Sequence, residues 1–327
     1  MKDNIPLYVI AFLFTLSFTV LSARLIIPIL KSKAKQPIYS DGPSWHLSKS
    51  GTPTMGGLAF VFGITVTLLL CSLYKYIMKE NESALSLLIS TVYALLNSSV
   101  GIIDDITKLK RKENAGLSPR AKLIFQFSLS AIFLMSRQLL LKEGVLPLSP
   151  FGVIGGYALY YFLSLVILVG ITNCANLTDG IDGLASSVAF AIGISTFYIS
   201  FGKSDNVTFI SAALAAGALG FLVFNIHPAL VFMGDTGSLF FGSLIAALGF
   251  ELGAPWIPVV GGGIYVIEGI SVILQVAYYK MTKKRLFKMA PIHHHLERCG
   301  WDENKICITA IMLTLLFFGV IVICGIR

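Results

Sequence analysis

Ten apolar runs, each long enough to cross a bilayer, follow one another along this chain: residues 5–28, 55–77, 84–103, 121–140, 155–173, 183–201, 207–225, 238–253, 257–281 and 305–325. A helix needs about 20 residues to span the hydrocarbon core, where only helices and closed barrels satisfy all their backbone groups. With 55% hydrophobic and 13% charged residues and a mean hydropathy of +0.80, the apolar character belongs to the whole length rather than to one buried core. The expected fold class is all-α: a polytopic helical membrane protein of about ten transmembrane helices, forming one integral membrane domain over 1–327. The first run, Ile5 to Ala23, is longer than a signal-peptide core and has no small-residue cleavage site after it, so it reads as a retained span. Cys71, Cys174, Cys299, Cys307 and Cys324 show no CxxC spacing, which points to neither a disulfide framework nor a zinc site.

A formal net charge of +8 raises nucleic acid as a partner, but the distribution of the charge excludes it. Eighteen of the 25 Lys and Arg fall in three alternate connections, Arg24 to Lys49, Lys108 to Lys122 and Lys280 to Lys305. By the positive-inside rule these connections are cytoplasmic, and both termini lie outside. The partner is the lipid bilayer. This topology also gathers the polar motifs on the cytoplasmic face: Gly51 to Gly57, Asp104-Asp105, Asn176 to Asp182, Asn225 to Asp235, and His293 to His295. An active site on that face, fed partly from the membrane, is the expectation.

Each motif brings a different chemistry. Asn176 to Ala185 holds two carboxylates three residues apart, and if Asp179 and Asp182 share a helical turn their repulsion favours a cation nearby. Asp104 and Asp105 point about 100° apart on a continuing helix, so they suit a metal ligand and a proton acceptor on neighbouring faces of one cavity rather than a paired dyad. Lys108, four residues beyond Asp104, can pair with it or with a phosphate. Asp235 stands between Gly234 and Gly237-Ser238 just before a span, where backbone N–H groups favour phosphate and the carboxylate suits Mg²⁺. Three successive residues cannot all face one ion, so His293, His294 and His295 are poor candidates for a three-His zinc site and better ones for contacts to phosphate or to a carboxylate. Pro255, Pro258 and Gly261 to Gly263 should loosen the start of the ninth span, and Glu268 lies inside it as an intramembrane acid. Carboxylates for a hard cation, beside Lys, His and Gly-rich loops for phosphate oxygens, point to phosphoryl transfer involving a lipid.

Taken jointly, Asp41-Gly42-Pro43 with His46, Lys49 and Gly51 to Gly57, Asp104-Asp105 with Lys108, Asn173 with Asn176 to Ala185, Met233 to Ser238, and Pro291 to His295 with Gly300-Trp301 resemble the polyprenyl-phosphate N-acetylhexosamine-1-phosphate transferases. Within that family the likeness is to the muramoyl-pentapeptide branch. It implies a homodimer in the bacterial inner (plasma) membrane that joins UDP-N-acetylmuramoyl-pentapeptide to undecaprenyl phosphate, giving lipid I and UMP with Mg²⁺ in peptidoglycan synthesis. Carried onto this chain, Asp104, Asp105, Asp235 and His294 are catalytic, and Asp235 is the metal ligand. Lys49, Thr54, Lys108, Asn173, Asn176, Asp179, Asp182, Asn225, Phe232, Gln275, His293 and His295 bind substrate, with Phe232 beside the uracil. Cys174, Ile181, Phe240, Phe241 and Ser243 depart conservatively from the family pattern.

The expected mechanism is in-line attack of the lipid phosphate on the sugar-proximal phosphorus, with Asp104 as base. The competing route passes through a covalent phospho-sugar on Asp105. A relative using UDP-N-acetylglucosamine is the alternative donor reading. A cation-coupled transporter is the alternative of another class, and it would require its polar groups at mid-membrane.

Overall fold

The computed structural model describes residues 4–34, 49, 51–111, 116–149, 152 and 155–324, so Asp41, Gly42, Pro43 and His46 lie outside the described residues. Twelve helices form among the described residues: α1 Ile5–Lys33, α2 Leu58–Ile77, α3 Asn81–Arg111, α4 Pro119–Leu140, α5 Tyr157–Thr178 and α6 Leu184–Ser200, then α7 Asp205–Asn225, α8 Gly234–Glu251, α9 Ile257–Gly261, α10 Gly263–Thr282, α11 Ile292–Glu297 and α12 Glu303–Ile323. All but α11 fall in the ten apolar runs, with α9 and α10 sharing the ninth. Eight are long and apolar enough to cross a membrane: α1 to α5, α7, α10 and α12. The 17-residue α6 and the 18-residue α8 fall short of that measure, yet both are mostly buried. This is a polytopic membrane protein.

Local chemistry sets the boundaries. Ser118 caps α4 ahead of Pro119, and Asp302 caps α12 by accepting from the Asn304 N–H at 2.9 Å. The ninth span is broken as expected, because Pro258 and Gly261 to Gly263 divide it into α9 and α10. At α3 the helix runs eight residues past the apolar run and carries Asp104, Asp105 and Lys108 on regular helical spacing.

The centre of the bundle is α8, which is buried from Thr236 to Phe250 and packs on α3 and α5, with α7 and α6 beyond it. Small residues permit the close approach that packing between apolar helices requires. A Cβ on Gly57 would lie 2.4 Å from the Gly237 Cα, and one on Gly101 would lie 2.2 Å from the Asp235 carbonyl oxygen. Phe60 stacks on Phe241 at 4.0 Å, filling the space beside this contact. The outer faces of α1, α4, α10 and α12 expose Leu, Ile and Val to the lipid.

Odd-numbered spans end, and even-numbered spans begin, at one end of this bundle, and this order of connections brings their polar groups into contact there. One expectation needs correction. α5 stops at Thr178 and α6 starts at Leu184, so Asp179 and Asp182 occupy a break between helices and share no helical turn.

Candidate active site

Three carboxylates from two helices converge on the end of the bundle where α3 stops and α8 starts. Asp104, Asp105 and Asp235 each place an oxygen within 4.8 Å of the others. Lys108 reaches Asp104 at 2.7 Å and Asp235 at 3.2 Å, while Lys122 of α4 reaches Asp235 at 2.5 Å and Asp104 at 3.3 Å. Asn176 donates to Asp235 at 3.0 Å and to Ser238 at 2.8 Å, which fixes the Asp235 rotamer. Three carboxylates and two ammonium groups so close together leave one excess negative charge, an arrangement that could hold a cation. The carboxylate donors fit Mg²⁺, a hard ion that takes oxygen ligands.

The two adjacent acids have different surroundings. Both oxygens of Asp105 are engaged by the opening turn of α8: Oδ1 accepts from the Asp235 N–H at 3.2 Å, and Oδ2 accepts from the N–H and hydroxyl of Thr236 at 2.9 and 2.7 Å. Asp105 thus caps a neighbouring helix across the bundle. Gly234 makes this possible, since its φ is +72° and a Cβ there would lie 2.6 Å from Asp105 Oδ2. Asp104 accepts from the Leu117 N–H at 2.7 Å with Oδ1 and turns Oδ2 to the two lysines.

A second cluster lies alongside. Lys49 pairs with Asp182 at 2.8 Å and with Glu303 at 2.7 Å, and the Asp182 N–H donates to Glu303 at 2.8 Å. His227 Nδ1 lies 2.9 Å from Asp182 and 3.4 Å from Glu303. The Gly51 to Gly57 loop is stitched to the segment before α8 by backbone bonds: Phe232 N–H to Pro53, Gly56 N–H to Phe232 and Gly57 N–H to Met233. Thr54 and Phe232 therefore flank Gly234 on one side of the site. Asp179, past the end of α5, has its carboxyl held well above the usual carboxylate range by burial, with the charges of Asp235 and Asp105 adding to the effect.

The histidine run divides three ways. His293 is fully buried, with its N–H and Nδ1 both on Glu268 at 3.3 and 3.0 Å and its ring over Gly180. His294 turns to Glu297 at 2.6 Å, and His295 accepts from the Lys288 N–H at 3.1 Å. Glu268 therefore does not stand alone in the membrane. Gly269 beside it packs on Cys174, four residues from the end of α5 at Thr178, which puts Glu268 near the polar end. Gln275 accepts from the N–H groups of Leu286 and Phe287 at 3.2 and 2.8 Å. Asn173 donates to Gln126 and to the Val169 carbonyl, and Asn225 holds the Val231 carbonyl and accepts from Ser186. Among the described residues, neither asparagine hydrogen-bonds the carboxylates of the cluster.

No sequence pattern assigns an individual role to Lys122, His227 or Glu303, whereas Ser238 closes the Met233 to Ser238 motif. Lys122 had been counted only among the basic residues of a loop, and His227 and Glu303 are single residues 76 positions apart with no local pattern to link them.

Comparison with known proteins adds the family. Residues 84–253 match Glycosyl transferase family 4, and residues 49–61 match the Phospho-N-acetylmuramoyl-pentapeptide-transferase signature 1. The Phospho-N-acetylmuramoyl-pentapeptide-transferase of Caldicellulosiruptor bescii is 42% identical over 322 residues, which cover 96% of this chain and 95% of that protein. Those of Clostridium acetobutylicum and Shouchella clausii are 38% and 39% identical, covering 93% and 95% of this chain and 96% and 95% of their own lengths.

Proposed function

This chain belongs to the phospho-N-acetylmuramoyl-pentapeptide transferases of glycosyl transferase family 4, and from that membership we propose the reaction, the metal and the roles of its residues. It is a phospho-sugar transferase. It moves phospho-N-acetylmuramoyl-pentapeptide from the UDP-linked donor to undecaprenyl phosphate, releasing UMP and forming lipid I. The observation that carries the reading is the Asp104, Asp105 and Asp235 cluster with its two lysines, at the polar end of a bundle whose sequence is that of the family. The polar end faces the cytoplasm, where the soluble donor is found, and the acceptor arrives from the bilayer.

A Mg²⁺ ion, when bound, neutralises charge on the diphosphate and is held by Asp235. Lys108 and Lys122 bind phosphate oxygens of donor and acceptor. Asp104 takes a proton from the lipid phosphate, or holds it ionised, as an acceptor oxygen attacks the sugar-proximal phosphorus and the bond to UMP breaks. A phosphate monoester is largely dianionic near pH 7, so positioning contributes more than proton removal. Asp105 is a positioning residue. Both its oxygens accept hydrogen bonds from the α8 N-terminus, which leaves it a poor nucleophile and favours direct attack over a covalent phospho-sugar intermediate. Lys49, Thr54, Asn176, Asp179, Asp182 and Phe232 line the nucleotide-sugar side. His293 braces the wall through Glu268, while His294 and His295 shape the rim.

The test is transfer by purified, detergent-solubilised protein with undecaprenyl phosphate and Mg²⁺, offered UDP-N-acetylmuramoyl-pentapeptide and UDP-N-acetylglucosamine in parallel. UMP release with the first alone is expected. Turnover with the second alone would overturn the donor assignment, and dependence on no divalent cation would overturn the metal.

A further inference from the structure

Beside the Lys49, Asp182 and Glu303 cluster the surface opens into a cleft of about 990 Å³. His227 and Glu303 form the part of it next to the cluster, so cleft and site are continuous. Its outer walls carry Arg285, Lys288 and Arg298. Among the described residues none of these three cations has an ion pair with a carboxylate, unlike Lys49, Lys108 and Lys122. Two of them donate to backbone instead: Arg285 to the Lys288 carbonyl at 3.2 Å, and Lys288 to the Arg298 carbonyl at 3.1 Å. The loop that presents the first two is pinned by Gln275 and His295, through the N–H groups of Leu286, Phe287 and Lys288. Arg285 and Lys288 are thus tied to the wall by single backbone contacts, and their charge, like that of the exposed Arg298, stays available.

We infer that this cleft receives the peptide of the donor, with Arg285, Lys288 and Arg298 engaging its carboxylate groups. The inference rests on the donor assignment above. Any linear peptide joined to the sugar through its N-terminus ends in a free carboxylate, and five extended residues reach at most about 18 Å. A cleft in the upper part of the usual ligand-pocket range accommodates a chain of that kind. Guanidinium groups meet a carboxylate in the bidentate geometry that gives the strongest neutralising hydrogen bonds. The mixed lining favours a peptide over an anionic membrane surface. Glu297, Asp302 and Glu303 share the walls with the cations and would repel a wholly anionic partner, whereas a peptide offers N–H donors beside its carboxylate. Trp301 adds an apolar face for side chains.

The experiment is steady-state kinetics of the full-length protein at saturating undecaprenyl phosphate in nanodiscs with and without anionic lipid. Three donors are compared: UDP-N-acetylmuramoyl-pentapeptide, the same donor with a C-terminal carboxamide, and UDP-N-acetylmuramic acid. In the unaltered protein the carboxylate donor is expected to be preferred about tenfold over its amide, almost wholly in KM, the size of one charge-assisted contact. In Arg285→Gln and Arg298→Gln that ratio should fall to about two, and in Arg298→Glu the amide should become the better donor. The ratio is measured within each variant, so partial misfolding cancels. Equal use of acid and amide by the unaltered protein, or the same preference in every variant, would overturn the inference while leaving the transferase assignment intact. So would losses in the variants that follow the anionic lipid content and are equal for all donors, which would mark a membrane-binding surface. Absence of turnover with every muramoyl donor would remove the parent assignment and the inference together.

Discussion

Buried charge occurs at both ends of this bundle, and the two ends handle it differently. At the end opposite the site, Arg137 holds Glu143 through two nitrogens at 2.6 and 2.8 Å and Glu251 at 2.7 Å, while Ser86 and Ser90 each donate to Glu251 at 2.7 Å. Lys75 likewise joins Glu80 at 2.8 Å to Asp205 at 2.5 Å, with Asn4 and Tyr8 donating to Asp205. One cation gathers two acids, hydroxyls or an amide take up remaining lone pairs, and the cations are only 5% and 2% exposed. These networks tie α1, α2, α3, α4, α7 and α8 together. At the site end the cations Lys108 and Lys122 are 23% and 17% exposed and are shared between Asp104 and Asp235. A phosphate can draw those ammonium groups away and leave carboxylate oxygens for a metal. The same residue types hold helices together where one buried cation gathers the acids, and in the proposed reaction they meet substrate where the cations are shared and more exposed.

Substitutions at the two ends should therefore separate. Asp235→Asn is expected to lower transfer by at least about 10³-fold, read as UMP release, because it removes the carboxylate common to the lysines and the metal. Its thermal unfolding temperature should fall only modestly, since the ion pairs to Lys108 and Lys122 are lost while asparagine keeps an acceptor for Asn176. A parallel loss of fold would erase the contrast. Arg137→Leu should do the reverse, costing about 3–5 kcal/mol of stability by stranding two acids, while the folded fraction turns over normally. Adding Glu251→Leu should recover part of that loss in thermal unfolding in detergent.

Asp105→Ala sits between these extremes. Loss of the cap on α8 should cost about 1–2 kcal/mol and lower kcat together with stability, whereas Asp105→Asn keeps an acceptor and should lose less of both. Capture of a phospho-sugar on Asp105 in the absence of lipid acceptor would sink its positioning role. The smallest effect is expected at Asp179. Its carboxyl titrates higher in the folded protein than in the unfolded chain, so the folded form binds the proton more tightly and stability declines as pH rises through the usual carboxylate range to the raised value. Asp179→Asn should flatten that decline in a pH series of unfolding in metal-free buffer, with the variant gaining on the parent as pH increases.

Much of the fold was legible because bilayer thickness imposes a length scale on the sequence. All ten apolar runs coincide with helices, and Pro258 and Gly261 to Gly263 marked the broken ninth span, since proline and glycine act on the backbone locally. The pairing of Lys108 with Asp104 was legible for the same reason, as four residues on a helix face bring them together. Lys122, His227 and Glu303 were not, because each meets its partners across the bundle. Asn173, Asn225 and Gln275 were drawn from the family resemblance, which does not say which partner a polar group will find; Asn173 bonds Gln126 of α4, while Asn225 and Gln275 hold nearby backbone.

What the sequence determined by itself is the set of spans, the polar character of one set of connections, and the family, all of which rest on local composition and on short motifs. Tertiary structure decided the rest. Close approach at Gly57, Gly101 and Gly234 brings α8 against α2 and α3, turns Asp105 into a helix cap, and leaves Asp104 and Asp235 facing shared lysines. Which of two adjacent carboxylates is closed and which is open depends on hydrogen-bond donors from residues 130 positions away, and no local pattern carries that information.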